Sequence, residues 1–154
     1  MSGGFWTLPK LVAAGVVLMA AVEGTRRVLG YARGQPINIT LAPIGGGHWL
    51  EQAAAQAFVA MRAAAAQEGV KLNVGMSFRD NETQTRLYND YVTGKTTDVA
   101  APPKYSNHQS GIALDLETER GTNLAFAWLN VNAHRFGWKR TVSSEPWHWE
   151  YLPA

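Results

Sequence analysis

Cysteine is absent from the 154 residues. No disulfide framework is possible, and any metal site must be built from nitrogen and oxygen ligands. A chain without cysteine works in either redox compartment, so this absence fixes no location. Charge of one sign is also missing: 14 basic side chains stand against 12 acidic ones, a net charge of +2. No basic stripe interleaved with aromatics occurs, so nucleic acid is not an expected partner. The slight positive balance suits an anionic cell wall, but only weakly. No apolar run reaches the ~20 residues that span a bilayer. Gly45-Gly46-Gly47 is not followed by Gly-Lys-Ser/Thr, which removes a phosphate loop. Internal repeats and low-complexity segments are absent as well.

What is present is enough for one domain with an appendage. Hydrophobic residues make up 46% of the chain, which allows a real core. Residues 1–30 read as an apolar helix. In it Lys10 precedes the run Leu11–Val22, and Glu23, Arg26 and Arg27 follow. Three readings stay open for this segment: a signal peptide without a clear cleavage site, a weak signal anchor, or a helix docking on a partner such as a phage particle. Residues 5–29 are therefore the expected point of membrane or phage-particle association. Residues 31–47 read as a linker, punctuated by Gly34, Pro36, Pro43 and the triple glycine, with a short strand at Ile37–Leu41. Residues 48–154 form the main domain.

Within that domain Trp49–Glu68 carries apolar residues at three- and four-residue steps and predicts a helix, stopped by Gly69. Lys71–Phe78 alternates as a strand. Glu82–Val92 predicts a second helix, and Lys95–Tyr105 a loop bordering a cleft. Ile112–Glu117 predicts a strand, Asn123–Phe136 a helix, and Trp138–Val142 and Trp147–Tyr151 the last strands. Helices first and antiparallel strands later indicate an α+β fold: a small antiparallel sheet with helices packed on it, plus the N-terminal apolar helix.

Two stretches carry the chemistry. The first is Ser106-Asn107-His108-Gln109-Ser110-Gly111-Ile112-Ala113-Leu114-Asp115; the second is Glu145-Pro146-Trp147-His148. A loop bearing His108 can turn at Gly111, which adopts backbone angles closed to other residues. The strand that follows places Asp115 on the face opposite Ile112, Leu114 and Leu116. A charged group in mid-strand needs a partner, and a metal is a good one. Pro146 bars a regular strand between Glu145 and His148 and favours a turn. Two imidazoles and a carboxylate can then converge on one metal, with Glu145 close by and free of it. Three protein ligands, an open position and a nearby base are what catalytic zinc requires. Trp147 and Trp149 flank His148 as a dry wall. His48 and His134 are assigned local roles.

The two motifs resemble those of the zinc peptidases of the lysostaphin, D-Ala-D-Ala metallopeptidase and sonic hedgehog group. The match is to its D,D-carboxypeptidase and D,D-dipeptidase branch, linked to vancomycin resistance. That branch shows Ser-x-His-x-x-Gly-x-Ala-x-Asp and then Glu-x-Trp-His, filled here by Ser106, His108, Gly111, Ala113 and Asp115, and by Glu145, Trp147 and His148. The resemblance runs from about Leu50 to Tyr151. It implies a zinc cofactor in a cleft with His108, Asp115 and His148 as ligands and Glu145 as general base. A further stretch, Val74–Arg79 followed by Gln84 and Leu87-Tyr88, looks like the family's strand ending in an arginine. It implies that Arg79 binds the substrate carbonyl and the oxyanion formed from it, where a fixed guanidinium is well suited. Ser106, Gln84, Tyr105 and Trp147 are then substrate-binding candidates. One departure stands out: Pro102-Pro103-Lys104-Tyr105 replaces the family's Pro-Gly ahead of the Ser-x-His.

The resemblance implies a hydrolase of peptidoglycan stem peptides in the periplasm or cell envelope, a D,D-carboxypeptidase or D,D-endopeptidase, with service as a phage lysin or in the virion as an alternative. An L-Ala-D-Glu endopeptidase is the rival within enzymes. A non-catalytic zinc-binding module and a virion structural protein are the rivals outside them. Glu145 and Arg79 argue against mere binding, which needs neither.

Overall fold

The computed structural model describes residues 24–154. The expected helical run Leu11–Val22 lies outside the described residues. Among the described residues two antiparallel sheets and three α-helices build an α+β fold. The first sheet contains β1 (Arg26–Ala32), β2 (Gln35–Gly45) and β3 (His48–Glu51) in sequential order. α1 (Gln52–Gln67) follows directly. The second sheet contains β4 (Val74–Met76), β5 (Ala113–Leu116), β6 (Trp138–Lys139) and β7 (His148–Tyr151), in the order β4-β5-β7-β6. Between β4 and β5 lie α2 (Asn81–Val92) and a 3-10 turn at Asn107–Ser110; α3 (Leu124–Asn132) precedes β6. Among the described residues no helix is long and apolar enough to cross a membrane.

The first sheet corrects the expected linker. Residues 31–47 are not a spacer, and the strand at Ile37–Leu41 is the middle of an eleven-residue one. Arg33 and Gly34 close the β1–β2 hairpin with φ of 50° and 81°. Two positive φ values are what a two-residue hairpin turn of matching twist demands. Ile39, Leu41, Ala42 and Ile44 are buried, so the hairpin is part of the body of the domain. Pro43 sits at a register irregularity, where a missing N–H is tolerated. The expected apolar helix over residues 1–30 is corrected at residues 26–30, which belong to the strand Arg26–Ala32.

The first main helix starts later than its apolar periodicity suggests. Trp49–Glu51 pairs with Leu41–Pro43 in β3. The Glu51 carboxylate then accepts from the N–H groups of Ala53 and Ala54 at 2.9 and 3.2 Å and starts α1 at Gln52. A side-chain acceptor at this position satisfies donors that the first turn leaves unpaired. Ala54, Phe58, Met61 and Ala65 form its buried stripe. They pack with Leu114, Leu116, Trp138 and Trp149 into one core between the helices and the second sheet. The expected strand Lys71–Phe78 contracts to Val74–Met76, and the third helix gives way to a 3-10 turn at Ala133–Phe136 before Gly137.

A chain beginning at Gly24 should keep this fold. One beginning at Gln35 removes β1 and leaves β2 paired only with β3. Its thermal midpoint should fall by more than about 5 °C relative to the longer chain, a loss of order 1–2 kcal/mol for a domain of this size. Equal midpoints would mean that β1 adds nothing to the domain.

Candidate active site

Asp115 and His148 are directly opposite one another across the β5–β7 pair. Side chains alternate between faces along a strand. Leu114, Leu116 and Trp149 therefore point into the core, while Asp115, His148 and Glu150 share the other face. Trp149 is thus core; its indole N–H donates to the Pro146 carbonyl at 3.1 Å. The Glu145–His148 turn closes with a bond from the His148 N–H to the Glu145 carbonyl at 3.1 Å.

His108 reaches the same face from the 3-10 turn. Gly111, with φ of 75°, ends that turn and redirects the chain into β5. A Cβ there would lie 2.7 Å from the Glu51 nitrogen, so the position admits no side chain. The Glu51 N–H donates to the Gly111 carbonyl at 2.9 Å and ties the turn to the end of β3. The ring of His108 is buried, and its Nδ1 lies 2.8 Å from the Ser77 carbonyl oxygen. An oxygen that can only accept fixes the proton on Nδ1. The Nε2 lone pair then faces Asp115 Oδ1 at 3.3 Å, buried and without a hydrogen-bond donor among the described residues.

His148 places Nδ1 3.0 Å from the same Asp115 oxygen and Nε2 2.9 Å from Glu150 Oε1. Burial alone disfavours its charged form. Bonds and charge from Asp115 and Glu150 outweigh that and raise its pKa to about 9. Burial pushes the Asp115 carboxyl up, but the bond and charge of His148 outweigh that and hold it below the usual range. Burial keeps His108 neutral: its pKa is lowered despite the neighbouring Asp115. One proton on His148 Nδ1 can satisfy only one side of Asp115. The lone pair of His108 Nε2 remains orphaned beside a carboxylate, an arrangement that costs free energy without a cation.

The three ligand atoms lie within 4.8 Å of one another, so His108, Asp115 and His148 form a group that fits a divalent metal ion. Two nitrogens and one oxygen suit zinc. They would hold it through His108 Nε2, His148 Nδ1 and an Asp115 oxygen, with Ser77 and Glu150 orienting the two rings from behind. Backing of this kind by a carbonyl or carboxylate is the rule for metal-ligating histidines.

Arg79 follows β4, and its N–H donates to the His108 carbonyl at 3.2 Å. Burial pulls its pKa down, opposed by the charges of Asp115 and Glu145, so the guanidinium sits within the field of both carboxylates. Its Nε is buried and has no hydrogen-bond partner among the described residues. Asp80 is committed elsewhere, capping α2 through the Thr83 N–H at 2.7 Å.

The remaining candidates divide. Gln84 is completely buried, and its side chain donates to the Ala101 carbonyl at 2.7 Å. It anchors the loop before Ser106 and does not line a surface that substrate could reach. The Ser106 hydroxyl accepts from the His108 N–H at 3.3 Å and caps the turn. Tyr105 and Trp147 are exposed at 62% and 37%. His134 is exposed on its 3-10 turn. His48 bonds the Ser77 hydroxyl at 3.2 Å and so touches the residue that orients His108. Ser77 and Glu150 were not legible as site residues. Glu150 carried a usable signal, since it lies two residues beyond His148 on one strand and so shares its face. Asn107 holds it in turn, donating from Nδ2 at 2.9 Å.

The family model described as VanY, D-alanyl-D-alanine carboxypeptidase, matches residues 47–154. The Bacillus subtilis (strain 168) protein YodJ is 27% identical over 127 residues; the match covers 68% of this chain and 46% of that protein, so the chain spans about half the length of that curated relative. A zinc complex of the vancomycin-resistance D,D-pentapeptidase VanY superposes with a TM-score of 0.65 at 24% identity, covering 81% of this chain and 86% of that one. The LD-carboxypeptidase LdcB, solved for its recognition of peptidoglycan, superposes with a TM-score of 0.59 at 25% identity, covering 68% and 60%.

Zinc should raise the thermal midpoint of the metal-free protein, since a ligand that binds only the folded state adds about 4 kcal/mol at a thousandfold excess over Kd. His108→Ala and His148→Ala should abolish that rise. Glu150→Ala should weaken zinc binding roughly 10–100-fold in chelator competition. Unchanged binding in either histidine variant would remove that residue from the ligand set.

Proposed function

Because the chain belongs to the VanY family of D-alanyl-D-alanine carboxypeptidases, we propose that it is a zinc peptidase that cleaves the D,D bond near the end of peptidoglycan stem peptides. The observation that carries this reading is the convergence of His108, Asp115 and His148 beside two groups that metal binding alone does not need, Glu145 and Arg79.

When bound, zinc supplies Lewis acidity and lowers the pKa of water to roughly 7. Glu145 then takes a proton from the attacking water and returns it to the departing amine. Arg79 meets the oxygen of the scissile carbonyl. Its buried Nε and the charges of Asp115 and Glu145 acting on it support a cation in place before substrate arrives. Pre-placed donors stabilise charge as it develops without reorganising at the moment of reaction. Ser77 and Glu150 keep the histidine rings in their ligating orientation. Tyr105 and Trp147 offer exposed aromatic surface for the peptide, while Ser106 and Gln84 act by shaping the loop that carries Tyr105.

The cell envelope is the compartment this substrate requires. The basic residue and apolar run at Lys10–Val22 support export or anchoring there.

Purified muropeptides weighed before and after digestion test the reading. Loss of one alanine from pentapeptide stems is the expected product. Cleavage of tetrapeptide stems instead would move the assignment to L,D specificity, and no cleavage of either would end it. Glu145→Gln should retain zinc and lose roughly 10²–10⁴-fold in kcat, because an amide cannot accept the proton. Arg79→Lys keeps the charge but lacks the planar fork, and should cost roughly 2.7–4 kcal/mol of transition-state stabilisation. A loss below about twofold in kcat/KM would return Arg79 to a structural role.

A further inference from the structure

The β1–β2 hairpin lies ahead of residue 47, where the family match begins, and it is docked on the segment that leads into the site. Two glycines make that docking possible. On β1, a Cβ at Gly30 would lie 2.5 Å from the Gln109 carbonyl oxygen, so the strand backbone rests directly on the turn that bears His108. At the hairpin tip, a Cβ at Gly34 would lie 2.7 Å from the Tyr105 hydroxyl and 2.9 Å from its Cζ. The Gly34 N–H donates to the Lys104 carbonyl at 2.9 Å, and the Lys104 ammonium stands 5.5 Å from the centre of the Tyr31 ring.

The loop at this contact is not relaxed. Lys104 adopts φ of 75°, uncommon outside glycine. It is held from two sides: its N–H donates to Gln109 Oε1 at 2.6 Å and its carbonyl accepts from Gly34. Gln109 is fully buried and also bonds Asn81 at the start of α2. Such a conformation persists only when its surroundings over-determine it, and the hairpin tip is half of those surroundings. The residue next in line is Tyr105, whose large ring is left mostly in solvent although its edge is fixed against Gly34.

We infer that the hairpin tip is a positioning element of the substrate wall: Gly34 fixes Tyr105, and through Lys104 and Gln109 the hairpin sets the path of the chain from Pro102 to His108. The ligand that this wall meets is the peptide end of the substrate, so the inference rests on the peptidase reading. Gly34 and Tyr31 touch no reacting atom; they act through Tyr105 and the loop.

Gly34→Asn is the informative variant. Asparagine tolerates positive φ and keeps the hairpin turn. Its Cβ cannot share the space of the Tyr105 ring, and a ring edge can swing away without breaking the fold. KM for a pentapeptide stem should rise roughly tenfold, the worth of one aromatic contact, with kcat within about threefold and zinc affinity unchanged. Tyr105→Ala should raise KM by a similar factor. In the Tyr105→Ala background Gly34→Asn should have no further effect, because the clash it acts through is gone. Arg33→Asn, at the other turn position, places no atom on Tyr105 and should leave KM alone. Additive effects, or KM unchanged in Gly34→Asn and Tyr105→Ala, would overturn the inference. A second readout needs no turnover: the NMR signals of the Tyr105 ring and the Lys104 amide should move in Gly34→Asn and stay put in Arg33→Asn. If they stay put in both, the positioning role falls. If they move while the wild type cleaves no stem peptide, the peptidase reading falls and the positioning contact stands.

Discussion

Two acceptor atoms, His108 Nε2 and an Asp115 oxygen, meet at the centre of this protein, and only His148 Nδ1 brings them a proton. His108 spends its only proton on the Ser77 carbonyl, and Asp115 has none to give. Without a cation the arrangement leaves a buried lone pair facing a carboxylate oxygen at 3.3 Å. Much of the surrounding structure serves to hold that cost in place. Antiparallel register sets Asp115 against His148. A left-handed glycine lets the His108 turn enter β5 at once. A hydrophobic core of helices and Trp149 pins the opposite face of the same strands, so the ligands cannot relax by rotating away.

The parts of the site that were legible in the sequence are those fixed by short-range geometry. Strand alternation placed Asp115, a glycine placed the turn after His108, and a proline placed the turn before His148. The partners behind the rings were harder to see. Ser77 contributes a carbonyl, which every residue type has, so no side-chain chemistry announces it. Glu150 lies within the expected strand Trp147–Tyr151, and its spacing from His148 puts it on the same face. Gln84 shows the opposite error. Its position in the resembling motif drew it toward substrate, yet its amide is used to satisfy a backbone carbonyl in the interior.

The fold was less readable at its beginning than at its end. Between residues 26 and 51 the chain contains the pair Arg26-Arg27, two prolines and a cluster of glycines, which together read as punctuation. In the structure the glycines and prolines serve a sheet: Arg33-Gly34 makes the hairpin turn, Pro43 marks a bulge, and Gly30 yields room for Gln109. Ile37, Ile39 and Leu41 did carry the period of a strand, but nothing local said that the strand ran on to Gly45. The late start of α1 has a similar origin. Leu50 fits the helical stripe by spacing, and only the pairing of β3 with β2 claims it for a sheet. Non-local pairing overrides local periodicity at both places.

Ser77 links parts of the chain that are far apart in sequence. Its hydroxyl meets His48 and the Trp49 N–H at the start of β3, and its carbonyl meets His108, at separations of 28 to 31 residues. The ligand geometry of His108 therefore exists only after the two sheets have come together. Loop closure over such distances is among the slower steps of folding. A chain that has formed its helices and hairpin but has not joined its sheets presents one imidazole free to rotate and no enclosed triad. Metal capture thus becomes a late event that reports on the assembly of the whole domain, and a half-folded chain has little means of retaining the ion.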